Sequence, residues 1–290
     1  MYKLEAIERQ SGNSSEQQIF REILLRTRNG ENTLADWEKL TTRTEEKIPL
    51  LERDRFLEAT FILTKWSDVD FINMDKLRSL NRPVAKILAV HSGGREAKNA
   101  DSDTAKGLEN ELLLSRGARI MLRANLWTKA GLVNGTMGTV KHIIYEEEGP
   151  PYLPTAVFIN FDNYKGPTMT ALDGTKVFPI VPIRRTWESK NGTSCSRLQV
   201  PVCLAWAITV HKSQGLMLEK ANIDIGSKEF AAGLSFIAIS RVRSLGDIIF
   251  QPFSFERLQR IKKCSRLRER KVEEERLSTL SQNGIVSRIV

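Results

Sequence analysis

The sequence is short of the residues from which disulfide frameworks and metal sites are built. Its 290 residues include three cysteines, Cys195, Cys203 and Cys264, and three scattered histidines. Three cysteines cannot form a fully paired framework, and their spacing matches no zinc motif. We therefore expect reduced thiols, no metal ligands and a cytosolic or nuclear type of environment.

Long apolar runs are also missing. No stretch of eighteen apolar residues occurs, and the opening "MYKLEAIERQSG" has an acidic residue early and no apolar signal core. These absences predict neither a membrane span nor secretion. A nuclear or mitochondrial location is expected for a eukaryotic protein, and a cytoplasmic one otherwise.

Basic residues exceed acidic ones. The formal net charge is +9, with 44 Lys and Arg against 35 Asp and Glu. Such an excess favours a polyanionic partner, with nucleic acid first, although a basic protein need not bind one. Aromatic residues make up 7% of the chain, which leaves few stacking candidates; Trp127 and Tyr164 are the ones expected to be exposed, although packing roles suit both.

The first part of the chain alternates between helical and strand patterns. Residues 14–29 predict an amphipathic helix, capped by Ser14 with Gln17 and closed by Gly30. "FLEATFIL" (56–63) and "VAKILAV" (84–90) predict buried strands on either side of a helix around 68–80. Alternation of this kind predicts an α/β layer with a parallel sheet.

From about residue 117 the pattern changes to short strands separated by turn residues. "VNG" at 133–135 and "LDG" at 172–174 are hairpin signals, and they suggest a small β-barrel over 137–197. Residues 254–282 predict a charged helix, since Arg257 to Arg276 hold nine Lys or Arg against four Glu. Such a helix is either a solvated face or a basic surface near a nucleic-acid backbone.

"AWAITVHKSQG" (205–215) carries polar side chains directly out of an apolar run. A strand that ends at a helix N-terminus places its last residues at the sheet edge where α/β proteins bind ligands. A lysine there suits phosphate, and a glycine allows close approach. "FIAISRVRS" (236–244) repeats the pattern and delivers Arg241. A polar loop with a helix cap, and a surface ion pair, are the structural alternatives.

Together the two stretches carry a family resemblance. "AWAITVHKSQGLMLEKANIDI" and "FIAISRVRSLGDIIF" resemble the fifth and sixth motifs of superfamily 1B DNA helicases of the Pif and RecD type. "LEAIERQ" (4–10) is similar to their fourth motif, "IFREILLRTRNGENTLADWEKLTTR" to the helical stretch after it, and "LSRGARIMLRANLWTKAGLVNGTMGTV" to the segment before their Src-homology-type barrel. Met217 departs from the family, which usually has Thr or Ser there.

The resemblance implies a domain organisation. Residues 1–136 and 198–253 would be two parts of the second RecA-like motor domain, which is an α/β domain built on a parallel sheet. Residues 137–197 would be the β-barrel insertion, and 254–290 a charged helical tail. Single-stranded DNA is the implied partner, along with the first motor domain, and a monomer is expected.

The resemblance also implies site roles. Arg241 would be an arginine finger on the γ-phosphate of ATP, and Arg9 a second γ-phosphate contact. Gln10, Gln214 and Gly215 would lie near the nucleotide, whereas Thr209, His211 and Lys212 would contact the DNA backbone. The implied activity is ATP-dependent 5′–3′ unwinding, with ATP and Mg²⁺ as cofactors, in DNA repair, recombination and telomere maintenance.

One requirement of that activity is not met by these residues. G-x-x-x-x-G-K-[ST] does not occur, and "DGTK" (173–176) has the wrong order for a phosphate cradle. We therefore expect the isolated chain to be the C-terminal half of such a helicase, without the first motor domain, and to be inactive alone. The alternatives are a non-catalytic single-stranded-DNA-binding remnant, or a regulatory partner that completes an ATPase supplied by another chain.

Overall fold

The computed structural model describes residues 10–146, 148–189, 191–228 and 233–286. Its chain contacts form two compact units. The discontinuous unit consists of Met1–Asp68 and Ile208–Val290, and the continuous unit is Val69–Ala207.

The helices, in chain order, are α1 (Ser15–Asn29), α2 (Leu34–Thr41), α3 (Leu50–Arg53), α4 (Trp66–Ser79), α5 (Gly94–Asn99), α6 (Val210–Ser213), α7 (Leu234–Ile239), α8 (Phe255–Gln259) and α9 (Ser265–Val286). Short 3-10 turns lie at Glu45–Lys47, Asp54–Phe56, Thr128–Ala130, Leu245–Asp247 and Arg260–Lys263. None of the helices in the described ranges combines the length and apolar character needed to cross a membrane.

The strands are β1 (Thr60–Leu63), β2 (Ala85–Leu88), β3 (Val90–Ser92), β4 (Glu111–Leu114), β5 (Arg119–Leu122), β6 (Met137–Ile144), β7 (Ala156–Phe161), β8 (Met169–Thr170), β9 (Lys176–Ile180), β10 (Ile183–Glu188), β11 (Ser194–Gln199), β12 (Val202–Leu204), β13 (Ala207–Thr209), β14 (Ala221–Ile223) and β15 (Ile248–Phe250).

The discontinuous unit is built on a four-stranded sheet in the order β13-β1-β14-β15. Strand β14 is parallel to both β1 and β15, with Ala221 opposite Thr60 on one side and Ile248 on the other. Helix α1 packs on α7 and buries the side chains of Phe20, Ile23, Leu24 and Thr27. This confirms the predicted α/β class with a parallel sheet.

The predicted start and end of α1 are confirmed with one difference. The Ser14 side chain accepts from the backbone N–H of Gln17, and Gly30 ends the helix with φ of 68°, a left-handed conformation that favours glycine. The Gln17 amide, predicted to complete a capping box, instead donates to the carbonyl of Arg243 at 2.6 Å. Its hydrogen bond therefore ties α1 to the segment after α7.

The continuous unit contains a six-stranded sheet in the order β12-β5-β6-β7-β9-β8, a three-stranded sheet β10-β11-β3 and the pair β2-β4. Its core is lined by aliphatic side chains from many strands, among them Ile87, Leu114, Ile120, Val140 and Ile159, all fully buried. Turn residues such as Gly135, with φ of 98°, let short strands follow one another closely.

A closed barrel over 137–197 is not confirmed. In the described residues the six-stranded sheet stays open, because its end strands β12 and β8 are not hydrogen-bonded to each other. Strands β10 and β11 belong to a separate sheet, in which β11 pairs with both β10 and β3. Strands β5 and β12, which lie outside the predicted range, are part of the six-stranded sheet. The domain boundaries inferred from resemblance stay a prediction.

Two predicted strands also change. Only Thr60–Leu63 of the 56–63 stretch is a strand, because a 3-10 turn at Asp54–Phe56 precedes it. The 84–90 stretch, predicted to be one buried strand, is interrupted between β2 and β3, and its Leu88 and Val90 are 41% and 50% exposed. Both short strands pair antiparallel in the continuous unit, so neither extends the parallel sheet.

Candidate nucleic-acid interface

The stretch 205–215 folds, as predicted, from a buried strand into a helix. Strand β13 ends at Thr209, and α6 begins at Val210. The Thr209 hydroxyl accepts from the backbone N–H of Lys212 at 3.3 Å, and the Ser213 hydroxyl donates to the carbonyl of Val210 at 2.7 Å. The Thr209 side chain is 3% exposed, so its hydroxyl caps the helix. Its predicted DNA contact would therefore be made through α6.

His211 and Lys212 lie on the outer side of the same short helix. His211 is exposed and Lys212 is half-buried. The Lys212 ammonium lies over the indole ring of Trp66, with 4.2 Å between Nζ and the ring centroid. These two side chains give α6 an outward-facing donor and a positive charge, which is the chemistry that a phosphate backbone requires.

Gln214 and Gly215 follow α6 and are both exposed. Gly215 has φ of 86°, and nothing lies within 4 Å of the position where a Cβ would be. A ligand could approach this backbone closely, and a side chain would be strained there. The two residues therefore present an exposed amide side chain and an open turn.

Arg241 is placed beside α6, but its guanidinium is turned into its own chain. The side chain is 7% exposed. Nε donates to the carbonyl of Ile237 at 2.7 Å, Nη2 to the hydroxyl of Ser240 at 2.7 Å and Nη1 to the carbonyl of Ser213 at 3.3 Å. The predicted arginine finger is thus buried against the end of the helix that carries Lys212.

Gln10 is brought to the same region. Its side-chain amide donates to the carbonyl of Val242 at 2.9 Å, and its backbone carbonyl accepts from Nη1 of Arg21 at 2.6 Å. Gln10 is 6% exposed, so its amide braces the segment after α7. Arg9, predicted as the second γ-phosphate contact, lies outside the described residues.

Met217 and Arg243 add a contact that the sequence did not suggest. The Nε of Arg243 lies 3.4 Å from the sulfur of Met217, and Met217 is 50% exposed. The backbone N–H of Leu218 also donates to the carbonyl of Arg241 at 2.9 Å. The two predicted motif segments therefore contact each other directly, through both side chains and backbone.

Two further residues were missed by sequence reasoning. Trp66 lies three residues after the end of β1, a strand that neighbours β13 in the sheet. Its position shortly after a buried strand was the signal from which it could have been found. Arg257 was counted among the basic residues of the tail, but it is 3% exposed and donates to the carbonyls of Ile225 and Gly226 at 2.7 and 2.9 Å. It is a structural residue of the discontinuous unit.

The predicted tail is helical in two parts. Helix α8 and a 3-10 turn precede α9, which contacts the α1 end through ion pairs such as Lys271 with Glu31 at 2.9 Å. Lys262, Lys263, Arg266 and Arg268 are exposed. Across residues 10–146, 148–189, 191–228 and 233–286, no three His, Cys, Asp or Glu side chains come together as a candidate metal site.

No protein-family model matches the chain. A protein of Xenopus laevis named ATP-dependent DNA helicase PIF1 is 33% identical over 207 residues, which cover 71% of this chain. The chain is a homologue of the Pif1-type helicases. The matched region is 29% of the Xenopus relative, so the chain spans less than a third of that protein's length.

Solved Pif1 structures have the same fold. The Pif1 helicase of Candida albicans superposes with a TM-score of 0.67 at 24% identity, over 94% of this chain and 60% of its own. A Bacteroides Pif1 bound to single-stranded DNA superposes with a TM-score of 0.56 at 25% identity, over 82% of this chain and 50% of its own. Both structures therefore share their fold with most of this chain.

Proposed function

We propose that this chain supplies the single-stranded-DNA contacts and an arginine finger to an ATP-dependent 5′–3′ DNA helicase of the Pif1 type. One observation carries the proposal: the same short helix, α6, holds Lys212 outward and receives Arg241 at its end, through the carbonyl of Ser213. The homology supplies the activity, since the Xenopus relative is named an ATP-dependent DNA helicase and the Bacteroides relative binds single-stranded DNA.

In this proposal each residue has one task. Lys212 and His211 hold the DNA backbone, and Thr209 caps α6 so that both are held in place. Gln214, Gly215 and Gln10 lie toward the nucleotide, and Arg9 and Arg241 meet the γ-phosphate. An arginine finger stabilises the charge that develops during phosphoryl transfer and contributes about a thousandfold or more to the rate.

Because Arg241 is buried, it must change its position before it can act as an arginine finger. The guanidinium must leave the carbonyls of Ser213 and Ile237 before it can reach a phosphate, and those carbonyls belong to the ends of α6 and α7. A DNA strand that shifts α6 would therefore alter the contacts that hold Arg241. Coupling between DNA grip and hydrolysis follows from that shared helix.

ATP and Mg²⁺ are the cofactors of the complete helicase activity that we propose. The 290 residues contain no G-x-x-x-x-G-K-[ST], the motif with which such ATPases hold the phosphates of ATP. We accordingly expect no ATP hydrolysis from these 290 residues alone. The same proposal includes a role in DNA repair, recombination and telomere maintenance. It also includes a monomeric state and, in a eukaryote, a nuclear or mitochondrial location.

Binding of a fluorescent oligo-dT strand at increasing salt tests the proposed DNA contacts. Affinity should fall with a log–log slope of about −0.7 per phosphate contacted, and Lys212→Ala should remove about one such contact. Lys47→Ala, an exposed lysine of the same unit, is the matched control. A salt-independent affinity, or equal slopes for Lys212→Ala and the unmodified chain, would contradict the proposal.

A second candidate function is a single-stranded-DNA-binding protein without catalysis. The buried guanidinium of Arg241 favours it, because that residue already has a structural task in the chain. A DNA-stimulated ATPase assay separates the candidates when a Pif1-type phosphate-binding domain is added. Turnover that is restored by that domain and lost on Arg241→Lys supports the helicase role, whereas no turnover supports the binding protein.

A further inference from the structure

Trp66 lies at the sheet edge next to the proposed DNA contacts. It is the first residue of α4 and follows β1, the strand next to β13 in the sheet. It is 50% exposed, although tryptophan side chains are highly buried on average. Half of a large aromatic surface is therefore left facing solvent beside Lys212.

Three of the other four tryptophans have contacts that Trp66 does not share, and the fourth, Trp127, is 43% exposed in the continuous unit. Trp37 donates its indole N–H to the carbonyl of Phe253 at 2.9 Å, and Trp206 is 8% exposed in the core of the continuous unit. Trp187 has the guanidinium of the fully buried Arg197 over its ring. In the described part of the chain, the ring contact of Trp66 is with the Lys212 ammonium, 4.2 Å from its centroid.

An exposed indole with an ammonium on one face suits one nucleotide unit of a single strand. Every base has a flat π-face that can stack on an aromatic ring, and the phosphate next to it takes a cation. The indole also holds the ammonium near the strand, because a cation is attracted to the face of a tryptophan ring. Stacking adds binding that does not depend on sequence, as a strand-translocating protein requires.

We propose that Trp66 and Lys212 form one nucleotide subsite, in which Trp66 stacks on a base of single-stranded DNA and Lys212 binds its phosphate. The subsite rests on the proposed single-strand binding of α6, and it adds a base contact to what is otherwise a backbone-only interface. In this subsite Lys212 acts together with the aromatic ring of Trp66 and not as an isolated phosphate contact.

The experiment compares two oligonucleotides of equal length, oligo-dT and a strand of abasic sites, on the 290-residue chain. The unmodified chain should prefer oligo-dT by about tenfold, since one stacked base is worth about a factor of ten in affinity. Trp66→Ala should lose that preference but keep most of the affinity for the abasic strand, because Lys212 can still bind phosphate without the indole. Trp66→Phe should keep most of it, and Tyr152→Ala, at a position 58% exposed in the continuous unit, should change neither affinity.

Tryptophan fluorescence gives a second readout that does not require the alanine variant to fold. Oligo-dT should quench the emission of the unmodified chain more than that of Trp66→Phe, because a stacked base lies against the indole. Equal quenching in both chains, or an equal loss of both affinities in Trp66→Ala, overturns the stacking role. Failure of the unmodified chain to bind either strand overturns the proposed function itself, whereas an equal affinity for both strands overturns the subsite alone.

Discussion

Nη1 of Arg241 donates a hydrogen bond to the backbone carbonyl of Ser213 over 3.3 Å. Ser213 is the last residue of α6, the helix whose first turn is capped by Thr209 and which carries Lys212. A buried arginine is thus attached to the end of the proposed DNA-binding helix. Its removal should affect the stability of the chain before it affects any chemistry.

Arg241→Ala should destabilise the discontinuous unit by about 3 kcal/mol, because the carbonyls of Ser213 and Ile237 would lose a charged donor in a buried place. Urea unfolding followed by circular dichroism measures the change. Arg243→Ala is the control, since Arg243 is exposed, its side chain contacts the Met217 sulfur, and its backbone bond with Gln17 survives the substitution. Equal destabilisation by the two variants would remove the structural role of Arg241.

Thr209→Ala should lower the free energy of unfolding by about 1 kcal/mol through loss of the helix cap, and Thr209→Ser should keep the cap. Oligo-dT affinity measured on both variants separates two roles. If Thr209 acts through α6, affinity and stability fall together in Thr209→Ala. A loss of affinity at unchanged stability would instead show that its hydroxyl contacts DNA directly.

The buried carboxylate of Asp36 should make stability depend on pH. Burial raises the pKa of Asp36, but two hydrogen bonds from Arg26 at 2.8 Å and one from the Thr33 backbone outweigh it, and the pKa lies below its ordinary value. A folded-state pKa below the unfolded one gives stability that is present above the unfolded value and is lost as pH falls through the folded value.

The free energy of unfolding should therefore decline as pH falls below about 4. Asp36→Asn should cost about 2 kcal/mol at pH near 7 and progressively less in acid, because the unmodified chain loses the same interaction there. Urea unfolding at neutral and acidic pH measures the stability of the unmodified chain and the cost of Asp36→Asn at each pH. Asp54→Asn, at an exposed position of the same unit, is the control and should cost much less than Asp36→Asn at pH near 7.

Arg197 should hold together an irregular part of the continuous unit. Its fully buried guanidinium donates to the carbonyls of Leu108, Ala97 and Ala100 at 2.8, 3.0 and 2.7 Å. Arg197→Met should raise amide hydrogen exchange across 97–108, because three buried carbonyls lose their donor. Arg184→Met, at an exposed position of β10, should not, and similar exchange in both variants would contradict this role.

The strand-to-helix passage at 207–213 could be predicted from sequence because its signals are local. An apolar run, a threonine suited to a helix cap and a glycine after the helix are all contained in eleven residues. Helix α1 was predictable for the same reason, from Ser14 at its start to Gly30 at its end. The family resemblance in 205–225 and 236–250 likewise depends on contiguous residues, and homology to Pif1-type helicases confirms it.

The strand partners could not be predicted in the same way. "VAKILAV" is apolar enough for a buried parallel strand, yet it is interrupted between β2 and β3 because Leu112 and Leu198, far along the chain, offer antiparallel partners. The burial of Arg257 was missed for a similar reason. Its sequence neighbours are basic and polar, but its guanidinium donates hydrogen bonds to backbone carbonyls in residues 225–228, about thirty residues earlier in the chain.

The sequence by itself determined the family, the parallel α/β class and the helix that follows a buried strand with His211 and Lys212 on it. Tertiary structure decided which side chains of that region are free to act. It placed Trp66 against Lys212 and turned Arg241 into the carbonyls of Ser213 and Ile237. Local patterns fix helices and strands because their hydrogen bonds join near neighbours, whereas the exposure of a side chain depends on which distant residues pack against it.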